Sequence, residues 1–184
     1  MIQNEKPDTV IVATGSRPLR LNIEGIDGAN VITAEEALLG KKDIGFGPVV
    51  VCGGGEVGAE TAHYLTQTNH DITVVEMRDD ILNDMMPLSK QCLLGYMQET
   101  GVKVVTNAKV SKITETSVEY TDKEGNTVSL PAETVVSAFG YKAYNPLEEA
   151  AKKYCADVRT VGSAVKAGNA LTAVREAYDA AMSI

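Results

Sequence analysis

Gly53, Gly55 and Gly58 stand in a G-x-G-x-x-G spacing. They directly follow an apolar run, Val49-Val50-Val51-Cys52, and open a helical pattern that continues to about Leu65. Each glycine has a physical reason to be there. The first allows a tight strand-to-helix turn, the second lets a pyrophosphate approach the backbone, and the third lets the helix pack on the strand. The helix N-terminus then offers N–H groups and the positive end of its dipole to phosphate oxygens. An acidic residue is expected about 20 residues further on, at the end of the next strand. Glu76 fills that place, ending the strand Asp71–Glu76. A carboxylate there can accept both hydroxyls of an adenosine ribose and repel a 2′-phosphate, which favours NADH over NADPH. Met77 and Arg78 follow. Arg78 could meet a 2′-phosphate and partly counter that preference. The bland alternative is a glycine-rich turn in an α/β protein without a ligand.

The elements that must position this loop are legible as a βα alternation. Thr9–Ala13 reads as a buried strand, Thr14–Pro18 as a turn, and residues 19–32 as a loop-like connection. Thr33-Ala34-Glu35-Glu36 matches a capping box, predicting a short helix to Leu39 that stops at Gly40. Gly45-Phe46-Gly47-Pro48 is punctuation before the Val49 strand. Pro87 opens a helix with Leu88, Cys92 and Tyr96 on one face, ending at Gly101. Val102–Val105 is a further strand. Lys109–Thr114, Ser117–Thr121 and Thr127–Leu130 then read as an antiparallel meander, with Asp122–Asn126 as its second turn. Glu133–Ala138 is a strand broken at Gly140, Asn145-Pro146 starts a helix to about Tyr154, and Val158–Val161 is a short strand. Leu171, Val174, Tyr178 and Ala181 share one face of a last helix. The reading is an α/β fold: a Rossmann-like parallel sheet, helices on one side and the 109–131 meander on the other.

Composition narrows the function. The chain has 184 residues, 44% of them hydrophobic and 23% charged, which suits a globular domain rather than disorder. Lys and Arg total 17 against 25 Asp and Glu, a net charge of −8. No basic run is present for nucleic acid or an anionic membrane surface, whereas backbone amides can still hold a small phosphate. Cys52, Cys92 and Cys155 are far apart with no C-x-x-C, which suits a reducing, cytoplasmic compartment. With only His63 and His70, a zinc site would be short of ligands. No apolar run is long enough to span a bilayer, and the start lacks a signal peptide's apolar stretch.

Taken together, Ala13–Pro18, Val49–Glu60, Val74-Val75-Glu76 and Val136–Gly140 resemble flavoproteins with two dinucleotide-binding domains, one inserted into the other. Within that group the chain is most similar to the C-terminal region of the 2,4-dienoyl-CoA reductase, enoate reductase and trimethylamine dehydrogenase family, also called NADH:flavin oxidoreductases. The likeness runs over nearly the whole chain. It implies that Gly53, Gly54, Gly55, Glu56, Val57 and Gly58 hold the NADH pyrophosphate and that Glu76 binds the ribose. Glu60 would lie near the nicotinamide end, and Ala138, Phe139 and Gly140 would border the nicotinamide side. Ala13, Thr14 and Gly15 would be the strand and turn returning from the FAD half. Gly162 and Ser163 would stand where the family has a Gly-Asp pair on the FAD ribityl chain. It further implies a NAD(P)H-binding domain at 44–141 and a partial FAD-binding domain at 1–43 and 142–184. FAD would be bound in the parent protein. FMN and a 4Fe-4S cluster would belong to an N-terminal barrel preceding Met1. The sequence departs from the pattern at Ser163, which replaces an aspartate, and in lacking a second G-x-G-x-x-G.

The remaining reactive residues have ordinary readings. Cys52, Cys92 and Cys155 are expected in the core rather than as nucleophiles. His63 has no carboxylate or serine at useful spacing, and His70 sits in a turn. No Tyr-x-x-x-Lys is present. Hydride transfer from nicotinamide to flavin needs no side-chain acid or base, so no catalytic residue is assigned. Two other readings stay open: a non-catalytic dinucleotide-binding module, and an NADH oxidase or disulfide reductase-type flavoprotein, which would need an essential thiol.

Overall fold

A computed structural model describes residues 2–68 and 71–184; His70 lies outside them. The chain opens with α1 (Ile2–Glu5), β1 (Thr9–Val12), β2 (Ser16–Pro18), β3 (Val31–Thr33) and α2 (Ala34–Leu38). The glycine loop lies between β4 (Val49–Cys52) and α3 (Glu56–Leu65), and β5 (Ile72–Val75), α4 (Pro87–Glu99) and β6 (Lys103–Val105) follow. Then come β7 (Lys109–Ile113), β8 (Ser117–Thr121), β9 (Thr127–Pro131) and β10 (Thr134–Ser137). The last elements are β11 (Tyr141–Ala143), α5 (Glu148–Ala151), β12 (Asp157–Thr160) and α6 (Ala170–Met182). They form two compact units, Arg20–Gly140 and Met1–Leu19 with Tyr141–Ile184.

The Arg20–Gly140 unit is built on a five-stranded parallel sheet in the order β3-β10-β4-β5-β6. Its middle strand β4 is apolar and buried throughout because both faces are covered. Side chains alternate across a strand, so each one feeds two cores. Val49, Val51, Val74 and Val136 face α2, α3 and α4, joined by Ala59, Ala62, Leu65, Ile81 and Met97. Val50, Cys52, Val75 and Val135 face the meander β7-β8-β9, joined by Val110, Ile113, Val118 and Tyr120. Helices on one face and the meander on the other is the expected arrangement. The capping box also forms: Glu36 N–H donates to Thr33 Oγ1 at 3.1 Å, and Thr33 N–H donates to Glu36 Oε2 at 2.8 Å. Thr33 N–H and Oγ1 both donate to the Glu36 carboxylate, which favours its ionised form, so the carboxyl sits below its ordinary range, backbone bonding to Thr33 first among the causes.

Several local expectations are corrected. Val31–Thr33, read as the end of a loop and the start of a helix cap, is an edge strand paired with β10. With β3 in the sheet and α2 packed on α3, residues 20–43 fall in the Arg20–Gly140 unit, whereas the sequence boundaries begin that domain at 44. The long face of α4 also differs: Leu88, Cys92 and Tyr96 are exposed, and the helix buries Met97 and partly buries Leu93 and Leu94. Cys92 is therefore not a core residue.

In the second unit, β1 and β12 pair in parallel, Thr9 against Asp157 through Val12 against Thr160. The turn expected at Thr14–Pro18 contains β2, which pairs antiparallel with β11. The helix expected from Asn145 to Tyr154 is only Glu148–Ala151. Leu171, Val174, Tyr178 and Ala181 of α6 are exposed, and Ala173, Ala177 and Ala180 are the less exposed positions. Asn169 caps α6 by accepting from Thr172 N–H at 3.0 Å.

Candidate dinucleotide site

The glycine loop is held by its neighbours before any ligand is considered. Gly53 N–H donates to the Val75 carbonyl and Leu82 N–H to the Gly54 carbonyl, both at 2.8 Å. Gly53 takes a φ of 117°, and a Cβ there would stand 2.3 Å from the Ala138 carbonyl oxygen. A Cβ at Gly58 would stand 2.0 Å from the Gly53 carbonyl oxygen, so α3 rests directly on the loop. Gly55 differs from both: nothing lies within 4 Å of a Cβ built there. It is the N-cap of α3, and no side chain caps that helix end. The loop therefore has two positions closed by the fold and one open position at a helix N-terminus, the arrangement that suits an anion.

The open side of the loop faces a cleft of about 820 Å³ within the Arg20–Gly140 unit. Gly53, Gly55, Glu56, Val57, Gly58, Glu76, Met77, Arg78, Ala138, Phe139 and Gly140 line it. Its size falls within the range of small-molecule and cofactor sites. Two predicted residues stand apart. Glu60 is exposed on α3 and does not line the cleft. Gly54 is buried beneath it, and a Cβ there would meet Ile81 Cγ2 at 2.4 Å. Gly54 thus shapes the loop floor rather than the ligand surface.

Glu76 ties loop and cleft together. It is 6% exposed, and its two oxygens have different backbone partners. Oε2 accepts from Gly54 N–H at 2.7 Å, and Oε1 accepts from Arg78 N–H at 2.9 Å. Each oxygen has a second lone pair for another donor. A buried carboxylate bonded in this way fixes the glycine loop and presents an acceptor to the cleft.

Sequence reasoning missed part of the lining. Leu21, Asn22 and Ile23 reach it from the segment before β3, and Lys109, Ser111 and Thr121 reach it from the meander. Asp84 lines it from the loop after β5. No single motif marks these residues, because turns and strand pairing bring them to the cleft. Ala13, Thr14, Gly15, Gly162 and Ser163 belong to the other unit. There Thr14 Oγ1 donates to the Tyr144 carbonyl, and Gly162 N–H donates to Glu176 Oε2 at 2.7 Å. Ser163 lies at the 3-10 turn Gly162–Ala164, while Ala13 is exposed and a Cβ on Gly15 would meet nothing within 4 Å.

The reactive side chains elsewhere give no second centre. The His63 ring stacks on Tyr96 at 5.6 Å and does not line the cleft. Among the described residues no group of three or more His, Cys, Asp or Glu could hold a metal ion. No helix there is long and apolar enough to cross a membrane. All three cysteines are free. Burial pushes the Cys52 thiol up to about 12, so it is protonated and unreactive near neutral pH. Cys155 is buried as well, with Sγ 3.4 Å from the Pro7 carbonyl oxygen. Alkylation of the native chain near neutral pH, read by intact mass, should therefore add one label, at Cys92. Cys52 and Cys155 should react only after unfolding, and rapid labelling of Cys52 would contradict its burial.

A parallel sheet carrying this loop and acid defines a Rossmann-like α/β fold. The chain belongs to the pyridine nucleotide-disulphide oxidoreductase family, whose profile matches residues 3–161. It is 36% identical over 182 residues to an NADH oxidase of Thermoanaerobacter brockii, covering 97% of this chain and 28% of the relative. It is 33% identical over 180 residues to a cinnamate reductase of Clostridium sporogenes, covering 96% of this chain and 26% of the relative. A solved 2-naphthoyl-CoA reductase superposes on it with a TM-score of 0.92 at 30% identity, covering 100% of this chain and 28% of that one. The chain thus spans 28% or less of the length of the two curated relatives. All three relatives are named as redox enzymes, so the family is an enzymatic one.

Proposed function

We propose that this chain is the NADH-binding portion of a larger flavin-dependent oxidoreductase of the enoate reductase and 2,4-dienoyl-CoA reductase type. In that parent protein a bound FAD would supply the acceptor for the hydride of NADH. One observation carries the nucleotide reading: the buried Glu76 carboxylate lines the cleft and is bonded to the same glycine loop that leaves Gly55 open.

Each residue then has a physical task. The N–H groups at the start of α3, from Gly55 through Val57, face the pyrophosphate. Gly53 and Gly58 keep the loop and helix in contact. Glu76 accepts the adenosine ribose hydroxyls, which favours NADH over NADPH. Ala138, Phe139 and Gly140 border the nicotinamide side, and Glu60 stands outside the direct contacts. No side chain moves a proton, because the hydride passes between cofactors.

The other unit fits a flavin less fully. Ser163 brings no carboxylate, and the Gly162 N–H is bonded to Glu176. Ala13, Thr14, Gly15, Gly162 and Ser163 would contribute backbone and hydroxyl contacts to FAD, completed by residues outside this chain. FAD supplies the electron acceptor, and no further step is assigned to that unit. An FMN and a 4Fe-4S cluster, with the substrate site, would lie with the barrel of the parent protein.

Titration of the purified chain with NADH and with NADPH tests the reading. NADH is expected to bind about tenfold tighter or more, a difference of about 1.4 kcal/mol per decade. Absence of binding by either nucleotide at millimolar concentration would overturn it.

A further inference from the structure

Arg78 brings a guanidinium to the cleft, and its backbone restricts where that group can go. Its N–H donates to Glu76 Oε1 at 2.9 Å, and its carbonyl accepts from Asn107 N–H at 2.7 Å. The side chain then reaches between two carboxylates. Nε lies 3.5 Å from Glu76 Oε1, and Nη1 lies 3.7 Å from Asp84 Oδ2. Glu76 is nearly buried, whereas Arg78 is about half exposed and the Asp84 side chain is mostly exposed.

Asp84 is placed by the same turn that floors the glycine loop. Leu82 donates its N–H to the Gly54 carbonyl and takes a left-handed φ of 55°. Ile81 and Leu82 are both buried, and Met85 N–H closes the turn on the Leu82 carbonyl at 3.2 Å. The turn thus presents the Asp84 carboxylate to the cleft beside Arg78.

We propose that Asp84 is a specificity-determining residue of this cleft, holding Arg78 between two carboxylates and away from a 2′-phosphate. The inference rests on reading the cleft as an NADH site and extends it. A 2′-phosphate would have to draw Arg78 from both acids, in a corner whose fixed charges sum to a negative value. Glu76 excludes the phosphate by occupying its place, and Asp84 does so by engaging the cation that would bind it. Without Asp84, Arg78 has one acid partner and is free to turn toward an incoming phosphate, a geometry guanidinium groups favour.

The test is a double-mutant cycle on the full chain, with dissociation constants for NADH and NADPH measured for wild type, Asp84→Asn, Arg78→Ala and the double variant. The exposed ion pair is a modest interaction, so Asp84→Asn is expected to lower the NADH-over-NADPH preference by about threefold to fivefold. In the Arg78→Ala background the same change should move the ratio by less than about 1.5-fold, since the two residues act as one unit. An unchanged ratio in Asp84→Asn would overturn the inference, as would an equal shift with Arg78 absent, which would make Asp84 a bulk charge. If wild type binds NADH and only these outcomes fail, the inference alone falls. If wild type binds neither nucleotide, the reading of the cleft falls and takes the inference with it.

Discussion

Gly58→Ala is expected to lower the thermal midpoint of the chain and remove NADH binding, whereas Gly55→Ala removes most binding and leaves the fold intact. The two substitutions add the same methyl group three residues apart, and the space around each decides the outcome. At Gly58 the new Cβ would stand 2.0 Å from the Gly53 carbonyl oxygen, 3.0 Å from the Gly53 carbonyl carbon and 3.2 Å from Ala138 Cβ. Two of those atoms belong to a backbone already tied to Val75, so no side chain can swing aside. Helix propensity opposes this penalty, because alanine is better than glycine in a helix interior by about 1 kcal/mol. Overpacking a close contact costs about 1–3 kcal/mol, and a clash with fixed backbone belongs at the upper end. Sterics therefore win by about 1–2 kcal/mol, a fall of about 2–8 °C at this chain length. At Gly55 the backbone is extended, with a φ of −70°, and nothing lies within 4 Å of the added Cβ. The methyl group would occupy the approach to the helix N-terminus, weakening NADH by about tenfold or more, or about 1.4 kcal/mol. Thermal unfolding paired with NADH titration checks both. A Gly55→Ala chain that binds NADH as wild type does would sink the assignment of that N-terminus to the pyrophosphate.

The sequence made this loop legible because its signals are local. An apolar run, three spaced glycines and a helical period lie within seventeen residues, from Val49 to Leu65, and all belong to one βα unit. The capping box at Thr33 and Glu36 is local in the same way. The misread elements depend on distant partners. β3 has only three residues, and its place is set by β10, which Ser137 reinforces by donating to the Ile32 carbonyl across 105 positions. β2 and β11 are also three residues each and pair across the sequence. The faces of α4 and α6 failed for another reason. Periodicity shows that Leu88, Cys92 and Tyr96, or Leu171, Val174 and Tyr178, share a stripe. It does not say whether anything covers that stripe, and here those side chains are exposed. At the site, Glu76 was legible from its distance to the glycines. Gly54 was legible as part of the loop but not as its buried floor against Ile81, and Asp84 was not legible at all, because a turn at Leu82 that no glycine or proline marks brings it to the cleft.

Removing the Glu76 carboxylate should produce the other large effect, and the geometry gives it two separable parts. In Glu76→Ala, Gly54 N–H and Arg78 N–H both lose their acceptor. Leaving a buried donor unsatisfied costs about 1–3 kcal/mol, so the glycine loop loosens and both nucleotides bind less well. The ribose contact is lost as well, and that part falls on NADH alone. The repulsion that excludes a 2′-phosphate is relieved too, and that part favours NADPH alone. Loop damage therefore cancels in the ratio of the two dissociation constants, and nucleotide choice remains. NADH affinity should fall by about tenfold to a hundredfold, corresponding to about 1.4–2.8 kcal/mol. The NADH-over-NADPH ratio should fall by about tenfold, since charge-assisted hydrogen bonds are worth about 1.5–3 kcal/mol. Glu76→Gln separates the parts further. Its amide oxygen can keep one backbone donor, but its NH2 meets the other donor head-on, so it retains the shape and loses the charge. It should lose less affinity for NADH than Glu76→Ala while losing a similar share of the discrimination. If the ratio is unchanged in both variants although NADH binding weakens, Glu76 serves only to hold the loop, and the preference for NADH must arise elsewhere in the cleft.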